Sequence, residues 1–360
     1  MHHPQTEDEL AEIIRSSDGP LAIRGGGTRG MGCSGVGLSM AAVSGITLYE
    51  PGAMTVVARA GTPVAEIEEV LGQENQRLAF EPMDHRVLLG TQGTPTIGGV
   101  FAANISGPRR ISVGAARDFL LGVRYVDGAG QIVKNGGRVM KNVTGYDLVK
   151  LMSGAFGTLG VLSEVSFKVL PRPETDATLI LHGLEDEAAV AALARALGSP
   201  FEVSAAAHDP ATRETMLRIE GFTDSVRYRT GALQALLGGE TSIESEGAAR
   251  WRRWRDLEGF AMVDEDVWRV SCKPSAAPEL AARSGARAVR YDWAGGLIWL
   301  RTPAGHDLRA ALGEYDGHAT VVRGNVRPVF EPEAVGVARI TAGLRARFDP
   351  RGLLNAGLMS

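Results

Sequence analysis

The sequence predicts an α+β protein of two domains with a returning tail, and three observations carry that prediction. Glycines cluster between short apolar segments as far as Gly160, a Pro171-Arg172-Pro173 break follows, and regular strand–helix alternation begins beyond it. The 360 residues suit roughly two domains of about 150 residues each. The expected boundaries are 1–172, 173–330 and a tail over 331–360.

Thr6 to Ser16 sets Leu10, Ala11, Ile13 and Ile14 among acids behind a capping threonine, which predicts a helix. Leu21 to Arg24 reads as a short buried strand running into a glycine loop. Strands are expected at 46–49 and 54–60, a helix over 62–71, and a short apolar segment over 96–104. Asp127-Gly128-Ala129-Gly130 between two apolar runs is a hairpin signal. Residues 160–170 alternate as a long strand. Further strands fall at 177–182, 202–208, 214–220, 266–273, 288–293, 296–301 and 318–323 with helices between most of them, as in two consecutive split β-α-β units of a ferredoxin-like sheet. Pro332 to Arg347 reads as an amphipathic helix, and 348–355 turns back toward the first domain.

Composition narrows the function. A net charge of −4 argues against a general nucleic-acid binder. Two cysteines, Cys33 and Cys272, cannot supply the four thiolates of an iron–sulfur cluster, so any electrons must ride on another cofactor. No apolar run approaches the ~18 residues of a membrane span, and no basic start precedes an apolar stretch, so a cytoplasmic location is expected.

Arg24-Gly25-Gly26-Gly27-Thr28-Arg29-Gly30 contains G-x-G-x-x-G after a strand, but residues 31–45 lack the helical period that a Rossmann crossover requires. The more general reading is a backbone nest that approaches a phosphate closely; a plain tight turn is the alternative for one loop alone. Two more runs, Gly90 to Gly99 leading to Gly107, and Gly154 to Gly160, favour an extended ligand: one loop for a diphosphate, the others against rings.

Arg24 to Thr28, Thr96 to Gly99, Gly107-Pro108-Arg109-Arg110, Arg117-Asp118, Lys141 to Asp147, Gly157 to Val165, Asp292 to Gly296, His318 to Thr320 and Phe348 to Asn355 together resemble the vanillyl-alcohol oxidase and p-cresol methylhydroxylase-type flavoproteins. Within that superfamily the set is most similar to the FAD-binding subunits of bacterial glycolate oxidases. The resemblance implies a two-part FAD-binding domain of the p-cresol methylhydroxylase type, a ferredoxin-like α+β cap, and a C-terminal segment returning to the FAD domain. It places the pyrophosphate on Arg24 to Gly30, with Thr96, Ile97, Gly98 and Gly99 opposite and Asn104 and Gly107 beyond. Gly157, Gly160 and Val161 would run along the cofactor, and Asn355 would reach the flavin from the tail. Thr28 stands where relatives with covalent flavin can carry His, so non-covalent FAD is expected. Asn355-Ala356-Gly357 departs from the family's Asn-Pro-Gly. The resemblance also implies a small 2-hydroxy acid substrate, glycolate, oxidised to glyoxylate, with a homologous flavoprotein subunit and an iron–sulfur subunit as partners.

Oxidising such a substrate needs a hydride acceptor, a base for the hydroxyl proton and a cation for the carboxylate. Arg109 and Arg110 are the first candidates for the carboxylate, their alternative being a phosphate, a carbonyl or an internal acid. Lys141 could stabilise charge on a reduced flavin or pair with Asp147 or Asp118. His318 and Arg323 lie on a cap strand, and His318 is the natural base near neutral pH, with a purely structural hydrogen bond as the alternative. His85 could line the cofactor channel or order its loop. The pattern holds no His-x-His cluster, so two further roles stay open: a non-catalytic FAD-binding accessory subunit, or a self-sufficient oxidoreductase for another hydroxy acid or alcohol. Trp251, Trp254 and their neighbouring arginines read as a solvated face or a subunit interface.

Overall fold

The N-terminal helix α1 (Glu7–Ser16) forms where its cap predicts: Thr6 Oγ1 accepts from the Glu9 amide at 3.2 Å, and acids fill the first turn. The computed structural model describes residues 1–30, 33–139, 145–261 and 263–359. Over these the chain forms two compact units, one of 1–106, 115–172 and 332–360, the other of 107–114 and 173–331.

In the first unit β1 (Leu21–Arg24) pairs in parallel with β2 (Val36–Ser39). Between them the described residues hold no helix, so the glycine loop does not open a Rossmann crossover. There follow β3 (Ile46–Glu50), β4 (Thr55–Arg59), α2 (Val64–Gln73), β5 (Gln76–Arg77), α3 (His85–Leu89) and α4 (Ile97–Ala102). Helix α5 (Arg110–Val113) belongs to the second unit. The chain then returns through α6 (Ala116–Phe119), β6 (Leu120–Val126), β7 (Ile132–Gly136), α7 (Leu148–Met152), β8 (Val161–Lys168) and β9 (Leu170–Pro171). An antiparallel sheet runs β3-β4-β8-β6-β7. The β6–β7 hairpin closes as its residues predict: Asp127 Oδ1 accepts from the Ala129 and Gln131 amides at 2.9 and 2.8 Å. Phe80, Phe101, Phe119 and Phe167 stack at centroid distances of 5.3–5.5 Å. Leu10, Ile14, Leu21, Leu38 and Val161 form another core that takes in Leu353 and Leu354 of the tail.

The second unit continues with β10 (Thr175–His182), α8 (Asp186–Leu197), β11 (Ala205–Asp209), β12 (Glu214–Gly221), α9 (Thr223–Leu237), β13 (Thr241–Ser245) and α10 (Ala248–Arg255). After these come β14 (Asp266–Cys272), α11 (Ala277–Arg283), β15 (Ala288–Asp292), β16 (Leu297–Thr302), α12 (Leu308–Leu312) and β17 (Gly317–Arg323). The sheet order is β13-β10-β12-β11-β15-β16-β14-β17. It is two β-α-β-β-α-β halves joined antiparallel at His208 and Tyr291, the ferredoxin-like pattern expected. Strand β13 escapes the sequence reading because an edge strand needs no apolar run: Thr241, Ser242, Glu244 and Ser245 leave Ile243 alone.

Helices α8, α9, α11 and α12 bury one face of this sheet through Leu193, Leu233, Leu280 and Leu308. Strand alternation sends Arg269, Arg290, Trp299, Arg301 and His318 to the other. Helix α10 covers part of that second face. Its Trp251 and Trp254 are buried against Ile180 and Met216, so they are core residues and not the exposed face their arginine neighbours suggest. The last helix, α13 (Val335–Phe348), belongs to the first unit.

Candidate functional site

Two glycine loops of the first unit press backbone to backbone. A Cβ on Gly25 would lie 2.1 Å from Thr96 Oγ1, one on Gly26 would lie 1.7 Å from the Thr94 carbonyl, and one on Gly93 would meet the Gly26 carbonyl at 2.1 Å. These glycines are dictated by the neighbouring loop. Gly27 and Gly30 have left-handed backbones, φ +74° and +58°, and open space where a side chain would stand. They leave room for a ligand.

The cleft so formed has about 1350 Å³ of empty space, the open solvent at its mouth included. Its walls are Arg24 to Gly30, Thr96, Gly98, Gly99, Gly157, Gly160, Val161 and Asn355, joined by Met40, Met83, His85, Phe156 and Leu162. The loops therefore supply amides on one side while apolar side chains supply a surface for flat rings. Ile97 is fully buried behind the wall, and Asn104 serves structure, its Oδ1 accepting from the Arg117 amide at 3.0 Å. Neither Ile97, Asn104 nor Gly107 lines the cleft.

Arg29 is the charged group that tests the fit of a phosphate-bearing cofactor. Its Nη2 donates to the Gly99 carbonyl, and its Nη1 is buried without a partner while the residue lines the cleft. Burial lowers its pKa to about 10, which still leaves a cation at neutral pH. A buried guanidinium with an unanswered N–H beside a glycine nest fits a diphosphate. His85, also buried in the wall, is pushed down to about 3, by burial first and then by Arg29; Met83 O lies 3.2 Å from its Nδ1.

The tail completes the cleft. Asn355 Oδ1 accepts from the Ile23 amide at 2.7 Å, and its Nδ2 donates to the Phe156 carbonyl at 2.8 Å. One side chain thus ties β1 to the third glycine loop. Asn355 has φ +43°, a conformation asparagine tolerates better than most residues. Asp349 holds the returning turn by accepting from the Leu353 and Leu354 amides at 3.0 and 2.7 Å.

The second unit gathers a different set. Arg109 is buried, and its fork grips Glu220, Nε to Oε2 at 2.8 Å and Nη2 to Oε1 at 2.7 Å. Its guanidinium therefore holds an acid of the chain itself. Arg110 instead lies over Trp293, Cζ 4.7 Å from the ring, and Arg269 lies over the same ring at 5.1 Å. Trp293 is locked by its Nε1 donating to the Gly107 carbonyl at 3.1 Å and by Asp292 Oδ1 accepting from its amide at 2.8 Å. Trp293 and Ala294 both have left-handed φ, +51° and +55°, a strained turn for non-glycine residues. This anchoring explains why 107–114 joins the second unit rather than the first domain read from the sequence.

His318 stands opposite Ser271 on the β14–β17 ladder, one step along the same face from Arg269, which opposes Thr320. Burial, then the charges of Arg269 and Arg110, hold its pKa below the usual histidine value against the pull of Glu331. Burial and Arg110 likewise bring Arg269 down to about 10 despite Asp292. Arg110, Arg269, Trp293 and His318 thus form one basic, aromatic cluster. Sequence reasoning missed Arg269; the available signal was a cation in the middle of an otherwise apolar strand. Arg323 lies apart, its Nε and Nη1 donating to the Glu265 and Phe260 carbonyls at 2.9 Å each. Lys141 lies outside the described residues.

The two glycine loops, the orphaned edge of the Arg29 guanidinium and the returning asparagine fit the class of FAD-binding flavoproteins. A family model described as "FAD binding domain" matches residues 2–136. A relative, glycolate oxidase subunit GlcE of Escherichia coli (strain K12), is 34% identical over 345 residues, 94% of this chain and 92% of the relative. The chain belongs to the family of that glycolate oxidase subunit. It is also 29% identical over 285 residues to glycolate oxidase subunit GlcD of Bacillus subtilis (strain 168), covering 75% of this chain and 54% of that protein. Among solved structures, an alkyldihydroxyacetonephosphate synthase superposes with a TM-score of 0.70 over 98% of this chain and 75% of its own, at 15% identity. That likeness speaks for the fold.

Proposed function

We propose that the chain is the FAD-binding subunit of a glycolate oxidase or dehydrogenase complex that oxidises a small 2-hydroxy acid, glycolate, to glyoxylate. The observation that carries this reading is the cluster of Arg110 and Arg269 over one tryptophan beside a histidine held neutral. Two guanidiniums suit a carboxylate, and a neutral imidazole can take a hydroxyl proton. When bound, FAD supplies the acceptor for the hydride that leaves the alcohol carbon.

In this reading Arg24 to Gly30 and Arg29 hold the diphosphate without a covalent link, Thr96, Gly98 and Gly99 back that loop, and Asn355 fixes the wall beside the ring. Arg110 and Arg269 orient the substrate carboxylate, and His318 Nδ1 or Nε2 accepts the hydroxyl proton as the carbonyl forms. Arg109 and Arg323 are assigned to structure. A homologous flavoprotein subunit and an iron–sulfur subunit would carry the electrons onward. Among the described residues no helix is long and apolar enough to cross a membrane.

The test is an absorption spectrum of the purified chain from about 300 to 550 nm, repeated anaerobically with glycolate. Oxidised-flavin bands released by heat, and bleached by glycolate before release, support the reading. Bands that glycolate leaves unchanged move oxidation to a partner and make this chain an accessory flavoprotein.

A further inference from the structure

Helix α13 has no buried residue along its 14 positions. Val337 and Ile340 are 53% and 67% exposed, whereas Leu344 and Phe348, continuing the same i, i+3, i+7, i+11 stripe, are half-buried. The stripe starts covered at the end anchored by Asp349 and runs out of cover over the first two turns. Gly336 and Gly343 lie inside the helix, each lowering its stability by about 1 kcal/mol against alanine. A helix of this length is marginal in water on propensity alone, so its apolar stripe needs a second surface.

Charge says which kind. The helix carries Arg339, Arg345 and Arg347 and no acid, in a chain whose net charge is −4. At about 100° per residue, Arg345 and Arg347 fall on either flank of the stripe; Arg345 donates to the Met359 carbonyl, and Arg347 is exposed. We infer that α13 is the docking helix for another subunit, which presents an apolar groove rimmed by carboxylates to Val337, Ile340 and Arg347. A second copy of this chain is a poor occupant, because pairing α13 with itself sets arginines against arginines. The inference rests on the reading of the chain as one subunit of a complex. It places the interface on the segment that leads, within seven residues of Phe348, to Asn355 in the cofactor cleft.

The experiment co-expresses the full chain with the same organism's homologue of glycolate oxidase subunit GlcD and follows complex formation by size-exclusion chromatography with light scattering. Hydrogen exchange on the wild-type complex reads α13 directly. The expected result is a complex in which amides of α13 exchange at least about tenfold more slowly than in the free chain, and which the double variant Val337→Asp/Ile340→Asp and the single variant Arg347→Glu weaken at least about tenfold while keeping full FAD content. A wild-type chain that forms no complex overturns the subunit reading and this inference together. A complex with unprotected α13 amides overturns this inference alone. Ile340-dependent self-association, or Ile340-dependent sedimentation with phosphatidylglycerol vesicles, overturns it in favour of a second copy or a lipid surface.

Discussion

Replacing Arg109 by alanine separates a structural arginine from a substrate-binding one. The guanidinium makes two short bonds to Glu220, and both side chains are 9% exposed. Removing one member of such a pair ordinarily costs about 3–5 kcal/mol, because the other charge stays buried. Arg218 Nε remains 3.7 Å from Glu220 Oε2, so Arg109→Ala belongs at the low end, about 3 kcal/mol. Glu220→Ala belongs at the high end, since it withdraws an acid from two buried guanidiniums at once, although Arg218 keeps Ser204 Oγ at 3.1 Å. The double variant should then cost less than the sum of the two. Urea unfolding followed by tryptophan fluorescence on all four proteins gives this coupling. The segment that carries Arg109 also carries Arg110, so weaker glycolate binding should accompany the lost stability. An Arg109→Ala protein that unfolds within about 0.5 kcal/mol of wild type yet loses glycolate affinity tenfold would refute the assignment and return Arg109 to the substrate.

Four further predictions follow from the same geometry. Asn355→Ala removes the bonds to the half-buried Ile23 amide and Phe156 carbonyl; at about 0.5–1.5 kcal/mol for each and with the tie between β1 and the third glycine loop cut, the purified protein should lose most of its FAD, as measured by absorbance ratio. Gly26→Ala forces the Thr94 carbonyl away from a 1.7 Å contact and should destabilise the apoprotein as well as abolish FAD retention, whereas Gly27→Ala meets no protein atom, costs the apoprotein about 1 kcal/mol for its positive φ and should weaken FAD retention because its Cβ stands in the room left for the ligand; equal apoprotein stability in the two variants, read by urea unfolding, would contradict the loop–loop contact. Arg269→Met should raise the KM for glycolate at least about tenfold at unchanged FAD content, and His318→Gln should lower kcat and remove the acidic limb of its pH profile. His85 is neutral in the folded protein down to about pH 3 and protonates near 6.5 when unfolded. The unfolded state therefore binds the extra proton below pH 6.5, and stability should fall by about 1.4 kcal/mol per pH unit there; His85→Gln should flatten that slope in urea titrations of the apoprotein.

Local chemistry made much of this protein legible from its sequence. Thr6 caps α1, the Asp127 turn closes its hairpin, and the strand–helix alternation after Pro173 gives two ferredoxin-like halves, because each depends on residues within a few positions of one another. The glycine runs announced a phosphate-bearing ligand for the same reason, and the missing helical period after Gly30 set the Rossmann reading aside. Their detailed meaning was not local. Whether a glycine serves the ligand or the next loop depends on what its Cβ would touch: Gly26 answers to Thr94, 68 positions away, while Gly27 faces open space. Only the tertiary structure placed Arg109 on Glu220 and gave Trp293 to Arg110 and Arg269. It likewise turned Trp251 and Trp254 inward and left Val337 and Ile340 uncovered. Arg109 and Arg110 are adjacent in sequence with the same side chain. A buried carboxylate from β12 reaches one of them and an indole ring lies beneath the other, and that difference in environment divides their roles.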